Sequence, residues 1–381
     1  MKYEIAVIGA STAGLSAAAW LAEAGREVAV LDRNPRGRFS RRTYIVTGAI
    51  RRAIPELDPG LFLNSIHTME VQAGEQHRQI RLAEPDLVIE RRQLRAYLLR
   101  QAEKAGVQLH WERELLQVDP VQGTAVLAGP SGEESLLDSQ VLIAADGVNS
   151  RVRSSLGLPA VPSVPLLQAE IQLPAGWDPG VTRVWFDVEK TPYFYWLIPE
   201  SDRRAVVGLI AEPGCEIGSL LNEFLAERGY RAGEYQSGQA ALHRPGLVNR
   251  TAVNGRDIYL VGDAAGQVKV TTVGGTVTGF LGAKSVLEQV QNREQNGAWG
   301  RQLTRELNLH ALIRWLLERM DTRGYQALIQ AITPPVAEFL GTHQRDVMRG
   351  QFWKLPFLQP RFLGLGLKLL LRDASRGSGR K

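Results

Sequence analysis

Three short stretches, far apart in a chain of 381 residues, carry residue types suited to holding a nucleotide. The first is Gly9-Ala10-Ser11-Thr12-Ala13-Gly14. It follows an apolar run at residues 3–8 and opens an alanine-rich stretch at 12–23, the strand–turn–helix setting of a dinucleotide fingerprint. There Gly9 permits a tight turn and Gly14 lets helix and strand pack closely. The start of the helix, around Ser11, Thr12 and Ala13, offers unpaired backbone N–H groups to a pyrophosphate. Ser11 stands where a middle glycine would let backbone approach phosphate, so the match is incomplete. Asp32 ends the second apolar run, about the right distance on for a carboxylate that binds a ribose hydroxyl pair. Arg33 opens a basic run with Arg36, Arg38, Arg41 and Arg42. That run reads either as contacts to the adenine nucleotide's phosphates or as a solvated loop.

The second stretch is a buried-strand run at 141–145 that ends in Asp146-Gly147 and enters a helix. It reads as a ligand-bordering turn or as a capped helix start, since Asp and Ser both cap well. The third is a run at 257–261 ending in Gly262-Asp263, where Asp263 could accept hydrogen bonds from a sugar-alcohol chain. Gly274-Gly275 then open a helix whose positive end could face the N1–C2=O edge of a flavin. The order of the three stretches is far more specific than any one alone.

These turns need elements to hold them. Strands are expected at 3–8, 27–32, 107–111, 141–145 and 257–262, and helices at 12–23, 91–104 and 274–291. A short β meander is expected between, with turns at Gly123 and Gly132. The first pieces form a βαβ opening, for which a right-handed crossover is expected. From 161 to about 211 prolines rise and helical periodicity fades, which predicts an inserted antiparallel sheet with strands near 182–187 and 194–198 and a helix at 217–229. From about 301 the tail reads as helical. The segments predicted are 1–160 plus 250–295 for the nucleotide domain, 161–249 for the β-rich substrate-binding domain, and 296–381 for the C-terminal helical region.

Composition bounds the rest. Apolar residues make up 44% and charged residues 22%, ordinary for a globular chain. The single cysteine, Cys215, excludes an internal disulfide and reads as a structural or surface thiol. The six histidines are dispersed, with no metal-ligand or triad spacing, so no metal is expected and each reads as structural. A net charge of +5 suits phosphates, acidic lipid surfaces or acidic redox partners, and the scattered basic residues give no nucleic-acid signature. No leader and no membrane-spanning run are visible, which fits a cytoplasmic protein. Residues 353–371 are apolar, interrupted by Lys354, Arg361 and Lys368, and read either as a core helix or as a segment lying on a membrane surface.

Taken in order, the glycine-rich turn with Asp32, Ala145-Asp146-Gly147 and Gly262-Asp263-Ala264-Ala265-Gly266 resemble the FAD-binding frame of the para-hydroxybenzoate hydroxylase superfold. Within it, Gly262 to Lys269 followed by Thr271-Thr272-Val273-Gly274-Gly275 is similar to the geranylgeranyl reductase branch. So are Ile89-Glu90-Arg91-Arg92-Gln93-Leu94, residues 310–314, Arg345-Asp346 and residues 355–361. The resemblance covers nearly the whole chain. It implies an α/β fold: a Rossmann-like FAD-binding domain with a parallel sheet, an inserted antiparallel β-sheet substrate domain and a helical C-terminal region. It also implies that Asp32 binds the adenosine ribose and that Arg91 sits near the pyrophosphate. Asp146-Gly147 would border FAD and any nicotinamide donor, Asp263 would hold the ribityl chain and pyrophosphate, and Gly274-Gly275 would lie under the isoalloxazine edge.

Two features depart from the branch. Val270 stands where a proline usually follows the lysine. The family's Tyr-x-Trp-x-Phe-Pro substrate run is here Phe194-Tyr195-Trp196-Leu197-Ile198-Pro199, in which Trp196 and Pro199 match and Phe194 and Ile198 do not, and it reads either as a substrate contact or as an aromatic strand packing the sheet core. Tyr195 and Trp196 are the candidates for lining an apolar substrate pocket, and the candidate proton donors are backbone-held water and a tyrosine such as Tyr195. The activity implied is reduction of C=C bonds in an isoprenoid or similar apolar substrate by hydride transfer from reduced flavin N5. NAD(P)H or another external donor would be the electron source. An aromatic monooxygenase using NAD(P)H and O2 is the alternative on the same frame. A flavin halogenase would need an early lysine, and none lies between Lys2 and Lys104. A non-catalytic flavin or lipid carrier is the reading from a different class.

Overall fold

The computed structural model describes residues 1–292, 297–346, 348–362 and 364. The chain gathers into two compact units. The first comprises Met1–Arg41, Arg91–Ser163 and Gln239–Ala311; the second comprises Arg42–Glu90, Val164–Gly238 and Leu312–Lys381.

The first unit is built on a sheet whose strand order is Arg250–Val253, Arg256–Leu260, Glu134–Ala144, Lys2–Ile8, Val28–Asp32, Gln108–Trp111. All neighbours pair in parallel except the first two strands. Its central strands are apolar on both faces, as a parallel sheet covered on both sides requires: Ile5, Ala6, Val7, Ala29, Val30 and Leu31 are all buried. The strand Glu134–Ala144 serves two partnerships. Its first residues pair antiparallel with Ala125–Ala128, completing the expected meander, and Asp138 onward enters the parallel sheet. The meander turns at Gly123 and Gly132 have φ of +72° and +82°, values that glycine adopts without strain. This arrangement delivers the ends of Lys2–Ile8, Glu134–Ala144 and Arg256–Leu260 side by side. Those are the ends that carry the three glycine-bearing turns.

The second unit holds an eight-stranded sheet in the order Tyr235–Ala241, Ser163–Gln172, Arg204–Ile210, Tyr195–Pro199, Val181–Trp185, Phe62–Ala73, Gln76–Glu90, Thr43–Val46. It is antiparallel in the region read as inserted, but Val181–Trp185 runs parallel to Phe62–Ala73. The units also divide the chain differently from the expected segments. Residues 42–90, read with the nucleotide domain, supply three strands of this sheet. The reason is the long hairpin Phe62–Ala73/Gln76–Glu90, which turns at Gly74 and mixes polar with apolar residues, so it presents no apolar run longer than Leu87-Val88-Ile89. The tail is likewise not separate. The helix Ala298–Leu317 spans the boundary at Ala311, and beyond it Thr322–Gln330 and Pro334–Thr342 pack Tyr325, Ile329 and Val336 on Val71, Ala73 and Ile80 of the hairpin.

One face of this sheet is sealed by the helix Ile217–Glu227. Leu221, Phe224 and Leu225 pack on Ala169, Tyr195, Leu197, Val207 and Leu209. No helix of the described residues is long and apolar enough to cross a membrane.

Candidate functional site

At Gly9 and Gly14 the first turn has room for glycine only. Gly9 sits at φ +104°, and a Cβ there would lie 2.5 Å from the Ala145 carbonyl oxygen. A Cβ on Gly14 would lie 2.3 Å from Gly9 O and 2.8 Å from Ala145 Cβ, so the first turn sits tightly against the second. Ser11 tolerates a side chain because its φ is −75°, and that side chain is used. Ser11 is the N-cap of the helix Thr12–Glu23, its Oγ accepting the Gly14 N–H at 3.1 Å. Thr12 and Ala13 lie in the first turn, where helical N–H groups have no intrahelical acceptor.

Asp32 is buried and works as a strut. Its Oδ2 accepts the Ala10 N–H at 2.7 Å, and its Oδ1 accepts the Asn34 backbone N–H at 2.8 Å and the Asn34 side-chain amide at 2.9 Å. A carboxylate offers about four lone-pair sites, so one acceptor position stays open for a hydroxyl. Arg33 is exposed, and Arg36 is ion-paired to Glu103 at 2.5 Å. Arg91 is half-buried and reaches Ser40 Oγ at 3.3 Å. One helical turn on, Arg95 is buried, donates from Nε to Ala10 O at 3.1 Å and lies 4.1 Å over the Phe39 ring. Arg95 escapes a reading of the sequence; its i,i+4 spacing from Arg91 on Arg91–Lys104 is the one signal available there.

At the second turn Asp146 is half-buried. Its Oδ2 accepts the N–H groups of Arg151 at 2.8 Å and Val152 at 3.3 Å, starting the helix Arg151–Ser155. Its Oδ1 is buried with no hydrogen-bond partner among the described residues. Desolvation pushes its pKa above the ordinary carboxylate value, outweighing the hydrogen bonds that pull the other way. Gly147 follows at φ +87°. Arg153, fully buried, joins this turn to the third, its Nε donating to Ala264 O at 3.0 Å and its Nη2 to Val248 O at 2.8 Å.

The third turn is a short 3-10 helix, Gly262–Ala265, closed by Gly266 at φ +62°. Gly262 donates its N–H to Gln267 Oε1 at 2.7 Å, and a Cβ on it would stand 3.1 Å from Ala13 Cβ. A Cβ on Gly275 would stand 2.9 Å from Val268 Cγ2 and 3.4 Å from Asp263 Oδ1, so that carboxylate lies beside the start of Thr276–Asn292. This 17-residue helix has no acidic residue in its first turn, leaving its positive end unopposed from within. The three turns therefore converge: Gly14 on Ala145, Ala13 on Gly262, Asp263 on Gly275. A cradle kept narrow by glycines, an orphaned carboxylate oxygen and two helix starts fit a dinucleotide carrying a ring that gathers negative charge.

A sequence profile for the FAD binding domain matches residues 63–207. Digeranylgeranylglycerophospholipid reductase 2 of Methanothermobacter thermautotrophicus is 28% identical over 366 residues, covering 87% of this chain and 92% of that protein. Digeranylgeranylglycerophospholipid reductase 1 of Methanopyrus kandleri is 30% identical over 315 residues, covering 74% of this chain and 78% of that protein. This chain belongs to the geranylgeranyl reductase family. It is an FAD-dependent oxidoreductase with the α/β fold of that family. The crystal structure of a geranylgeranyl bacteriochlorophyll reductase-like protein from Thermoplasma acidophilum shares the fold with a TM-score of 0.77, at 17% identity, over 96% of this chain and 99% of that one.

The family's aromatic run lies in the second unit, and its alternation sends neighbouring residues to opposite faces of the sheet. Tyr195 points into the sealed core. It is 1% exposed and stacks on Phe224 with ring centroids 4.1 Å apart, and burial pushes its phenol up to about 12. Trp196 faces the other way, its indole close over Gly208, where a Cβ would come within 2.5 Å of Cζ2. Its Nε1 donates to Gln168 Oε1 at 3.2 Å. Phe194 lies edge-on to Trp196 at 6.0 Å and to Phe186 at 6.2 Å, and Phe186 stacks on Tyr325 at 4.9 Å. Phe186 and Phe194 are only half-buried. The result is an aromatic row on the face opposite the helix Ile217–Glu227.

Proposed function

We propose that this protein saturates C=C bonds in an isoprenoid or other long apolar substrate. The reading is carried by its similarity, over most of their length, to relatives named as reductases of digeranylgeranylglycerophospholipids. When bound, FAD would supply the hydride at its N5, and a proton taken from water completes the addition of H2 to each double bond. The chain's own residues bind and orient it: Thr12 and Ala13 N–H groups toward the pyrophosphate, Asp32 toward the adenosine ribose, Asp263 toward the ribityl chain, Gly274-Gly275 beneath the ring edge. Arg95 buries a positive charge against the Ala10 carbonyl and joins Arg91 as a source of positive potential at the phosphate turn. The orphaned Oδ1 of Asp146 supports its place at the border of FAD and a nicotinamide or other electron donor.

The row Trp196, Phe194, Phe186 and Tyr325 supplies the apolar wall for a polyprenyl chain. Tyr195 does not serve as the proton donor, since its hydroxyl lies in a packed core and holds its proton to about 12. The basic, apolar tail supports peripheral contact with a membrane, where such substrates reside.

The test is anaerobic. Holoprotein reduced with dithionite is mixed with a polyprenyl lipid, and the extracted lipid is examined by mass spectrometry. Gain of one H2 per double bond is expected. Incorporation of an oxygen atom into a phenolic substrate under air, with no alkene reduction without air, would favour the hydroxylase reading and overturn this one.

A further inference from the structure

The loop between the Gly-Asp turn and the helix Thr276–Asn292 is held in a conformation its residues resist. Val273 has φ +50°, a left-handed value that a β-branched residue adopts only when its surroundings over-determine it. Part of that constraint is local: the Lys269 N–H donates to Gly274 O at 3.1 Å, and the Lys269 carbonyl accepts the Thr272 N–H at 3.3 Å. The rest comes from the helix Ala298–Leu317. Its His310 is 0% exposed, and His310 Nδ1 lies 2.6 Å from Thr271 Oγ1. One turn earlier on the same helix, Glu306 places Oε1 3.6 Å from His310 Nε2. A carboxylate beside Nε2 favours the proton there and leaves Nδ1 to accept the Thr271 hydroxyl. The same helix also steadies the start of the loop. His243 Nε2 lies 2.8 Å from Asn308 Oδ1, and His243 Nδ1 lies 3.2 Å from Gly266 O. Beside the strained residue, the Thr272 hydroxyl is buried with no hydrogen-bond partner among the described residues, 3.4 Å from where a Cβ on Gly274 would stand.

We propose that His310, oriented by Glu306, is a positioning residue that latches the strained loop 269–275 through Thr271 and so sets how tightly FAD binds and at what potential it is reduced. The latch holds Gly274-Gly275 and the unpaired Thr272 hydroxyl in place toward the isoalloxazine ring. It rests on the reading that this loop borders the ring, and it is independent of which substrate is reduced.

The experiment compares holoprotein with the variants Thr271→Val, His310→Leu and their double, reading the FAD dissociation constant by flavin fluorescence and the midpoint potential by reductive titration. Thr271→Val removes the same hydrogen bond from its half-exposed end and keeps the test alive should His310→Leu fold poorly. Each single variant is expected to bind FAD about tenfold more weakly, the scale of one lost buried hydrogen bond, and to shift the potential. The double is expected to be no worse than His310→Leu alone, since Thr271→Val removes a bond that His310→Leu has already removed. Val273→Gly added to His310→Leu is expected to restore FAD affinity to within about threefold, because glycine carries no penalty at that φ. Variants that lower the melting temperature yet keep affinity and potential would show His310 to be packing alone. Failure of Val273→Gly to rescue would also overturn the latch. Gly275→Ala separates the two readings. If it leaves flavin affinity and absorbance unchanged, the loop does not border the ring; if it alters them while the Thr271 and His310 variants do not, the latch is wrong.

Discussion

At the residue scale, the site depends on atoms that are not there. Gly14 gives the sharpest case: an added Cβ meets backbone oxygen at 2.3 Å, and backbone cannot step aside as a flexible side chain can. Gly14→Ala is expected to cost about 1–3 kcal/mol of stability by overpacking and to abolish stoichiometric flavin, read as the absorbance ratio of the purified protein. Asp146 makes a different prediction. Desolvation raises its pKa above 3.8, so the folded apoprotein holds this proton more tightly than the unfolded chain does. Its contribution to stability is present in full below the unfolded value and is lost as pH rises through the folded one. Asp146→Asn cannot ionise, yet its amide oxygen can still accept the Arg151 N–H. The melting temperature of the apo variant should therefore fall less than that of the parent between about pH 4 and pH 7. A parallel fall in both proteins would remove Asp146 as the cause. Glycines and acids at strand ends are legible in sequence because their spacing from an apolar run is local. Arg95, Arg153 and His310 are not legible, since what matters about them is a partner 85, 111 or 39 residues away.

At the element scale, legibility follows the same divide. The strand Lys2–Ile8 and the helix Thr12–Glu23 declare themselves through uninterrupted apolar runs and alanine content. The hairpin Phe62–Ala73/Gln76–Glu90 mixes buried and exposed residues without a regular period, carries two register shifts and is completed by strands more than a hundred residues later, so no local pattern announces it. The strand Tyr195–Pro199 is legible as a strand, but its aromatic content does not tell its two faces apart. Period-two alternation requires that if Trp196 lines the open face, Tyr195 cannot. Tyr195→Phe keeps the stack on Phe224 and removes only a phenol in the core, so turnover on a polyprenyl substrate should not change. Trp196→Phe keeps an apolar ring but drops the donor to Gln168 and the overlap with Gly208. It should raise KM for long chains several-fold at a stability cost of about 1 kcal/mol for the lost hydrogen bond. Equal turnover for both variants would remove the aromatic row from the substrate path.

At the scale of the whole molecule, charge and the tail bear on where the enzyme meets its substrate. The chain carries a net charge of +5. Trp353, Phe357 and Leu358 are 60%, 79% and 40% exposed, with Lys354 and Arg361 among them also exposed. Most of the remaining apolar run, from 365 to 371, lies outside the described residues, as does Leu363, so residues 353–361 alone carry the surface in question. Scattered single apolar residues on a surface need no explanation, but three within six positions, flanked by cations, match the composition of an interfacial segment. Hydrophobic insertion and electrostatic attraction respond differently to salt. Cosedimentation with vesicles containing phosphatidylglycerol should weaken as salt rises and the Debye length falls from about 10 Å at 0.1 M to about 3 Å at 1 M, leaving a salt-resistant remainder from the apolar residues. Trp353→Ser with Phe357→Ser should remove that remainder while leaving FAD content intact, because both side chains are exposed. Reversal of residues 354 and 361 to glutamate should remove the salt-sensitive part. Binding to neutral and anionic vesicles that is equal and unaffected by either pair of substitutions would assign the exposed aromatics to another role.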